Sequence, residues 1–123
     1  MKTLKDRGEK EKMQVTVERD DTIKIVTFEG RLDVAGSEFF CNEILPLIDE
    51  KPMIISMAKC PYIASSGLRA LLIIAKTAKK KGTNIIYAAA VKHVTDVLEM
   101  TGFIKFLHCV STIEDAIKEI EQK

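Results

Sequence analysis

The sequence predicts an α/β domain on a mixed five-stranded sheet, with elements in the order ββαβαβαβα. Three observations carry that prediction. Segments with the period-two pattern of strands alternate with segments of helical period from Met53 onward. The connections between these strands have the length of helical crossovers, which implies right-handed parallel units. The first two strands follow each other directly and make a hairpin, so the first strand is added antiparallel at an edge. A chain of 123 residues holds one domain of this kind and no second core.

The elements follow in order. Residues 1–12 carry eight charged side chains and are expected to form a solvated tail, so the ordered domain is placed at 13–123. Met13, Val15 and Val17 alternate with Gln14, Thr16 and Glu18, the pattern of a half-exposed strand. Asp20-Asp21 is turn chemistry, and Thr22 to Glu29 resumes as a β-branched second strand ending at Gly30. Phe40, Ile44, Leu47 and Ile48 then recur at helical spacing and predict a helix over 36–50, kinked or shortened by Pro46. The apolar run Met53–Met57 reads as the third strand. A helix follows from Ser65 to Lys81, with Leu68, Leu71, Leu72, Ala75 and Ala78 as its core stripe. Three lysines and Gly82 mark its end. Asn84 to Ala89 is the fourth strand. Val91, Val94, Val97 and Leu98 give the third helix, closed by Gly102. Ile104 to Val110 is the fifth strand. Ser111 and Glu114 are read as a capping box before a last helix with Ile113, Ala116, Ile117 and Ile120 on its stripe.

Composition narrows the function classes. Nineteen basic and eighteen acidic residues leave a net charge of +1, which predicts no strong pull on nucleic acid or anionic lipid. No apolar run approaches the ~20 residues that span a bilayer. The charged start is unlike a signal peptide, and three cysteines without a CxxC pair suit a reducing compartment. A cytoplasmic location is therefore expected, with no membrane insertion and no disulfide framework.

In parallel sheets, functional groups gather beyond the carboxyl ends of the strands. Two such loops stand out: Gly30-Arg31-Leu32-Asp33 after the second strand, and Pro61 to Leu68 between the third strand and the second helix. The strand, loop and helix start Ile54-Ile55-Ser56-Met57-Ala58-Lys59-Cys60-Pro61-Tyr62-Ile63-Ala64-Ser65-Ser66-Gly67-Leu68 resemble the signature of the STAS family. That family is named for sulfate transporters and anti-sigma-factor antagonists. Its usual helix start is Asp-Ser-(Ser or Ala)-Gly-Leu. The Gly30–Asp33 segment resembles its Gly-x-Leu-Asp turn, and Thr101-Gly102-Phe103 matches its usual position before the last strand. In element order the resemblance covers residues 13–122. Two positions depart from the pattern: Ala64 replaces the usual aspartate, and Ser56 stands where Asp or Asn is common. Asp33 is then the acid expected nearest the site.

The resemblance implies a STAS-like fold and a non-enzymatic regulator that binds an anti-sigma factor. That partner is a serine kinase of the histidine-kinase ATPase fold. Phosphorylation at Ser65 would release it, and a phosphatase acting on Ser65 would reset the switch. Asp33, Ser66, Gly67, Leu68 and Arg69 are the partner-binding residues expected around Ser65, with Leu68 as apolar contact and Arg69 at the rim. The other reading is a non-phosphorylated STAS adaptor subunit of a transporter or signalling assembly, which Ala64 favours. No cofactor is implied.

The residues themselves also support a physical account of Ser65. Read as a helix N-cap, it satisfies an orphan backbone donor, and a phosphoryl group there would meet the positive end of the helix dipole. Ser-x-Gly after a strand is half of a nucleophile elbow, but Ile63 holds the place of the first glycine, and only His93 and His108 could act as base. His93, Asp96 and Glu99 at helical spacing read as a solvated face, not a metal site. Lys76 and Lys79–Lys81 read as a helix end, not a nucleic-acid footprint. Cys60 reads as a packing residue. Gly67 is expected to let the helix start approach a neighbouring backbone.

Overall fold

The computed structural model describes residues 13–19 and 22–122; the expected tail at 1–12 and the Asp20-Asp21 turn lie outside them. Five strands form one sheet in the order β1-β2-β3-β4-β5, with β1 Gln14–Arg19, β2 Lys24–Glu29, β3 Met53–Lys59, β4 Ile85–Ala88 and β5 Cys109–Val110. β1 pairs antiparallel with β2, and each later pair is parallel. The helices are α1 Val34–Ile44, α2 Ser65–Lys80, α3 Lys92–Thr101 and α4 Ile113–Glu121. The expected fold class and topology hold.

Strand periodicity divides the core into two layers. On β2, Val26 and Phe28 face one side while Ile25 faces the other. On β3 the same split sends Met53, Ile55 and Met57 to the first side and Ile54 to the second. Ile85 and Tyr87 of β4 continue the first layer, and Ile86 and Ala88 the second. The first layer is covered by α1, α2 and α3 through Phe40, Ile44, Leu71, Ile74, Val94 and Leu98; the second is covered by α4 through Ala116. A strand buried on both faces has no polar alternation, which is why β3 is a short continuous apolar run in the sequence. Phe28 meets Phe40 edge-to-face, ring centroids 5.1 Å apart, and fixes α1 on the sheet.

Four boundaries differ from the sequence expectation. α1 starts at Val34, because Asp33 caps it: the carboxylate accepts from the Gly36 N–H at 2.9 Å. It ends at Ile44, and the chain continues as a 3₁₀ turn over Leu45–Leu47 with Pro46 inside it. That turn is held from below by Lys24, a buried lysine whose ammonium donates to the Leu47 carbonyl and to Asp49 at 2.6 Å. The fifth strand is only Cys109–Val110. After left-handed Gly102 the chain forms a 3₁₀ turn over Phe103–Phe106, and Phe106 is exposed. Finally, α4 is capped by Thr112, whose hydroxyl accepts from the Asp115 N–H, one residue beyond the expected Ser111. α2 ends as expected: left-handed Gly82 donates to the Lys79 carbonyl and Thr83 to the Ala78 carbonyl, a Schellman pair.

Candidate functional site

The parallel pairing of β2 and β3 sends their following loops out at the same edge of the sheet. There the two loops are joined. The Leu32 N–H donates to the Tyr62 carbonyl at 2.9 Å, and the Ala64 N–H donates to the Leu32 carbonyl at 3.0 Å, a short parallel bridge beyond the strands. The buried Cys60 thiol adds a second donor to the Tyr62 carbonyl at 3.3 Å. Burial pushes the Cys60 thiol pKa up, which keeps it protonated and inert, as a packing residue should be.

Two glycines allow the loops to come this close. A β-carbon on Gly67 would stand 2.8 Å from the Leu32 carbonyl oxygen and 2.7 Å from Ile63. One on Gly36 would stand 1.8 Å from the Arg31 carbonyl oxygen. The expected close approach at Gly67 is therefore present, and Gly36 plays the same part on α1. Ser37, buried on α1, reaches across to Ser66 on α2, hydroxyl to hydroxyl at 3.4 Å. Asp33, Ser66 and Gly67 thus belong to one constellation, tied by backbone bonds and close packing.

Ser65 is exposed, but it is not the N-cap. The cap position is Ala64, in extended conformation and without a side-chain cap bond. This corrects the sequence reading. An aspartate at 64, the usual family residue, would stand at the cap, and alanine leaves that function empty. Gly67 and Leu68 also need correction as partner contacts. Gly67 is buried against the turn, and Leu68 is 4% exposed within the main core, so neither offers surface to a partner. Helical period turns Leu68 inward and its neighbour outward; Arg69 is exposed, one turn beyond Ser65.

Three further residues come together at this edge that the sequence reading did not connect. The Arg31 guanidinium lies 4.2 Å from the centre of the Tyr62 ring. Tyr62 stacks in turn on His93 of α3, ring centroids 5.7 Å apart and planes within 11°. Val34, the first residue of α1, is exposed beside Asp33. No local pattern could reveal the stack, since its members follow three different strands. His108 lies at the opposite edge, before β5, with Nε2 2.7 Å from the Glu119 carboxylate. Asp96 is paired with Lys92 at 2.9 Å.

The STAS domain model matches residues 14–116 of this sequence. The chain belongs to the STAS domain family. Among curated proteins, "Putative anti-sigma factor antagonist BtrV" of Bordetella bronchiseptica is 26% identical over 106 residues, covering 85% of this chain and 91% of that protein. Among solved structures, an anti-sigma factor antagonist from Mycobacterium paratuberculosis superposes with a TM-score of 0.79 at 19% identity, covering 89% of this chain and 94% of that one. The anti-sigma factor antagonist SpoIIAA, solved in its unphosphorylated form, gives a TM-score of 0.70 at 18% identity, covering 89% and 97%. These likenesses are at the level of fold. On this STAS domain, the joined loops and the start of α2 form the candidate binding edge. Among the described residues, no helix is long and apolar enough to cross a membrane.

Proposed function

We propose that this STAS domain is an anti-sigma-factor antagonist that binds an anti-sigma kinase of the histidine-kinase ATPase fold and is switched off by phosphorylation at Ser65. The reading is a binding switch, with no catalytic role for the domain. It rests chiefly on one observation: an exposed serine at the first position of a 16-residue helix, on a loop fastened to its neighbour. The N–H groups of Ser65 and Ser66 have no helical partner, as at every helix start, so a phosphate there meets free donors and the positive dipole end. It adds about −1.5 to −2 charge without unfolding the helix. Asp33, Ser66 and Arg69 border the serine in this reading, and exposed Val34 takes over the apolar contact that buried Leu68 cannot make. The names of the similar proteins agree with an antagonist role. Cytoplasmic residence and a phosphatase that restores the free hydroxyl complete the proposal.

A partner docked over Ser65 would have to desolvate the phosphate. An unmatched buried anion costs several kcal/mol, and each ~1.4 kcal/mol is tenfold in affinity. Calorimetric titration against an anti-sigma kinase of the histidine-kinase ATPase fold from the same organism tests the reading. Ser65→Glu is expected to weaken binding by at least about tenfold. ATP should release wild type, with phosphate found on Ser65 by mass spectrometry, and should not release Ser65→Ala. If folded Ser65→Glu binds like wild type, Ser65 is structural. Ala64, in place of the family aspartate, favours a second reading: a constitutive STAS adaptor in a transporter or signalling assembly. Under that reading, protein purified from its native cell carries no phosphate on Ser65.

A further inference from the structure

The Arg31–Tyr62–His93 stack has the composition and the rigidity of a binding anchor, and nothing in the core requires it. Tyr62 is fixed from below: its carbonyl accepts from Leu32 and from the Cys60 thiol, and Ile63 beside it is buried. Arg31 lies over its ring, and His93 is stacked with it. Arg31 and Tyr62 come from the loops after β2 and β3 and His93 from α3 after β4, so one stack ties the two joined loops to α3. Its outer layers remain in solvent, with the Arg31 side chain 54% exposed and His93 exposed. Pre-ordered Tyr and Arg side chains lose little freedom on binding, and these residue types are enriched at interface hot spots.

Charge points to the partner's chemistry. Asp33, two residues after Arg31, caps α1, and Asp96, three residues after His93, pairs with Lys92. Asp33 reaches Arg31 only at 3.8 Å, too long for a hydrogen bond. Glu29 stands in register with Lys59 at the neighbouring strand ends. The guanidinium of Arg31 is therefore still open to an outside carboxylate, and Arg69 has no ion pair among the described residues. We propose that this stack anchors the protein partner, and that the partner presents an acidic surface to Arg31 and Arg69. The inference rests on the antagonist reading of the same edge, and it separates two tasks: the stack holds the partner and Ser65 controls release. It also gives phosphorylation a second consequence, because a phosphate at Ser65 lowers the positive charge that the acidic partner reads.

Titration of stack variants against the same kinase tests the proposal. Tyr62→Ala and Arg31→Ala are each expected to weaken binding by at least about tenfold, and Tyr62→Phe to restore most of the loss because the ring remains. Arg31→Lys should recover little, since a lysine lacks the flat guanidinium that stacks. The double variant Arg31→Ala/His93→Ala should lose less than the two single losses combined, because both act through Tyr62. Arg31→Glu should bind more weakly than Arg31→Ala, and wild-type affinity should fall as salt is raised. Unchanged melting temperatures, and His93 ring-proton shifts that move in Tyr62→Ala but not in Tyr62→Phe, show that the variants fold and that the stack exists in solution. If wild type binds and Ser65→Glu does not, yet Tyr62→Ala and Arg31→Ala bind like wild type, the anchor is refuted while the switch stands. If Arg31→Glu matches Arg31→Ala, or salt has no effect, the acidic partner is refuted. If wild type fails to bind the kinase, the antagonist reading falls and the anchor falls with it.

Discussion

Substitution of Gly67 by alanine is the most direct probe of how the candidate binding edge is assembled. In the third position of α2, alanine should help the helix, by up to about 1 kcal/mol over glycine in a helix interior and less in a first turn. The added β-carbon, however, would stand 2.7 Å from Ile63 Cγ1 and 2.8 Å from both the Leu32 β-carbon and the Leu32 carbonyl oxygen. Ordinary contacts begin near 3.4 Å, so α2 or the turn has to retreat by about half an ångström. Ile63 and Leu32 are both buried, and the Leu32 carbonyl also accepts from Ala64, so none of the three neighbours can swing away. Overpacking of this kind costs roughly 1–3 kcal/mol. The net loss is therefore about 1–2 kcal/mol, equivalent to a melting-temperature drop of about 3–10 °C for a domain of this size. Urea unfolding followed by far-UV circular dichroism reads it, with the midpoint shifted and the slope unchanged. Gly36→Ala, facing the Arg31 carbonyl oxygen at 1.8 Å, should cost more. A Gly67→Ala protein as stable as wild type, or a Gly36→Ala protein more stable than Gly67→Ala, would refute the claim that these glycines permit the close approach.

Other expectations follow from the same contacts. Ala64→Asp supplies the missing side-chain cap of α2 and should raise stability by about 0.5–2 kcal/mol in urea titration; no gain would mean that residue 64 does not cap. The hydrogen bond from Lys24, and then that from the Lys51 N–H, holds the Asp49 carboxyl below its ordinary value. A depressed carboxylate stabilises above the ordinary carboxylate range and loses that contribution as pH falls through its folded pKa. Asp49→Asn should therefore melt lower than wild type at neutral pH, with the gap closing as pH falls below the ordinary carboxylate range; a gap independent of pH would refute the pairing. Burial holds the Tyr87 phenol well above its ordinary value, and its hydroxyl donates to the Leu71 carbonyl at 2.6 Å. A phenol raised in the fold contributes stability that is present below about pH 10 and lost above it as the unfolded chain ionises. Tyr87→Phe should cost about 1 kcal/mol at neutral pH and remove that alkaline loss, and an identical alkaline profile would contradict the burial argument.

Much of the fold was legible because each signal was local. The hairpin, the three crossover helices, the last helix and the Gly82 and Gly102 stops all follow from period and end chemistry within a few residues. The errors fell where two signals competed. Asp33 belonged to the Gly30–Asp33 turn and also capped α1, so the helix was expected two residues late. Ile104 and Phe106 looked like strand alternation, but the left-handed turn at Gly102 leads into a 3₁₀ turn and leaves Phe106 outside. Ser65 looked like a cap because serine favours that position; the bridge that binds Ala64 to Leu32 places alanine there instead.

The sequence by itself determined the element order and the motif that runs through Ser65 to Leu68, because these depend on period and near neighbours. Only the tertiary structure decided which motif residues are available. Leu68 and Gly67 sit within a few residues of Ser65 in the chain, yet packing turns them inward and leaves Ser65 and Arg69 outside. Arg31, Tyr62 and His93 are far apart in sequence and meet only because parallel crossovers bring the carboxyl ends of neighbouring strands to one edge. Such contacts are set by strand order and register, and no window of the chain contains them.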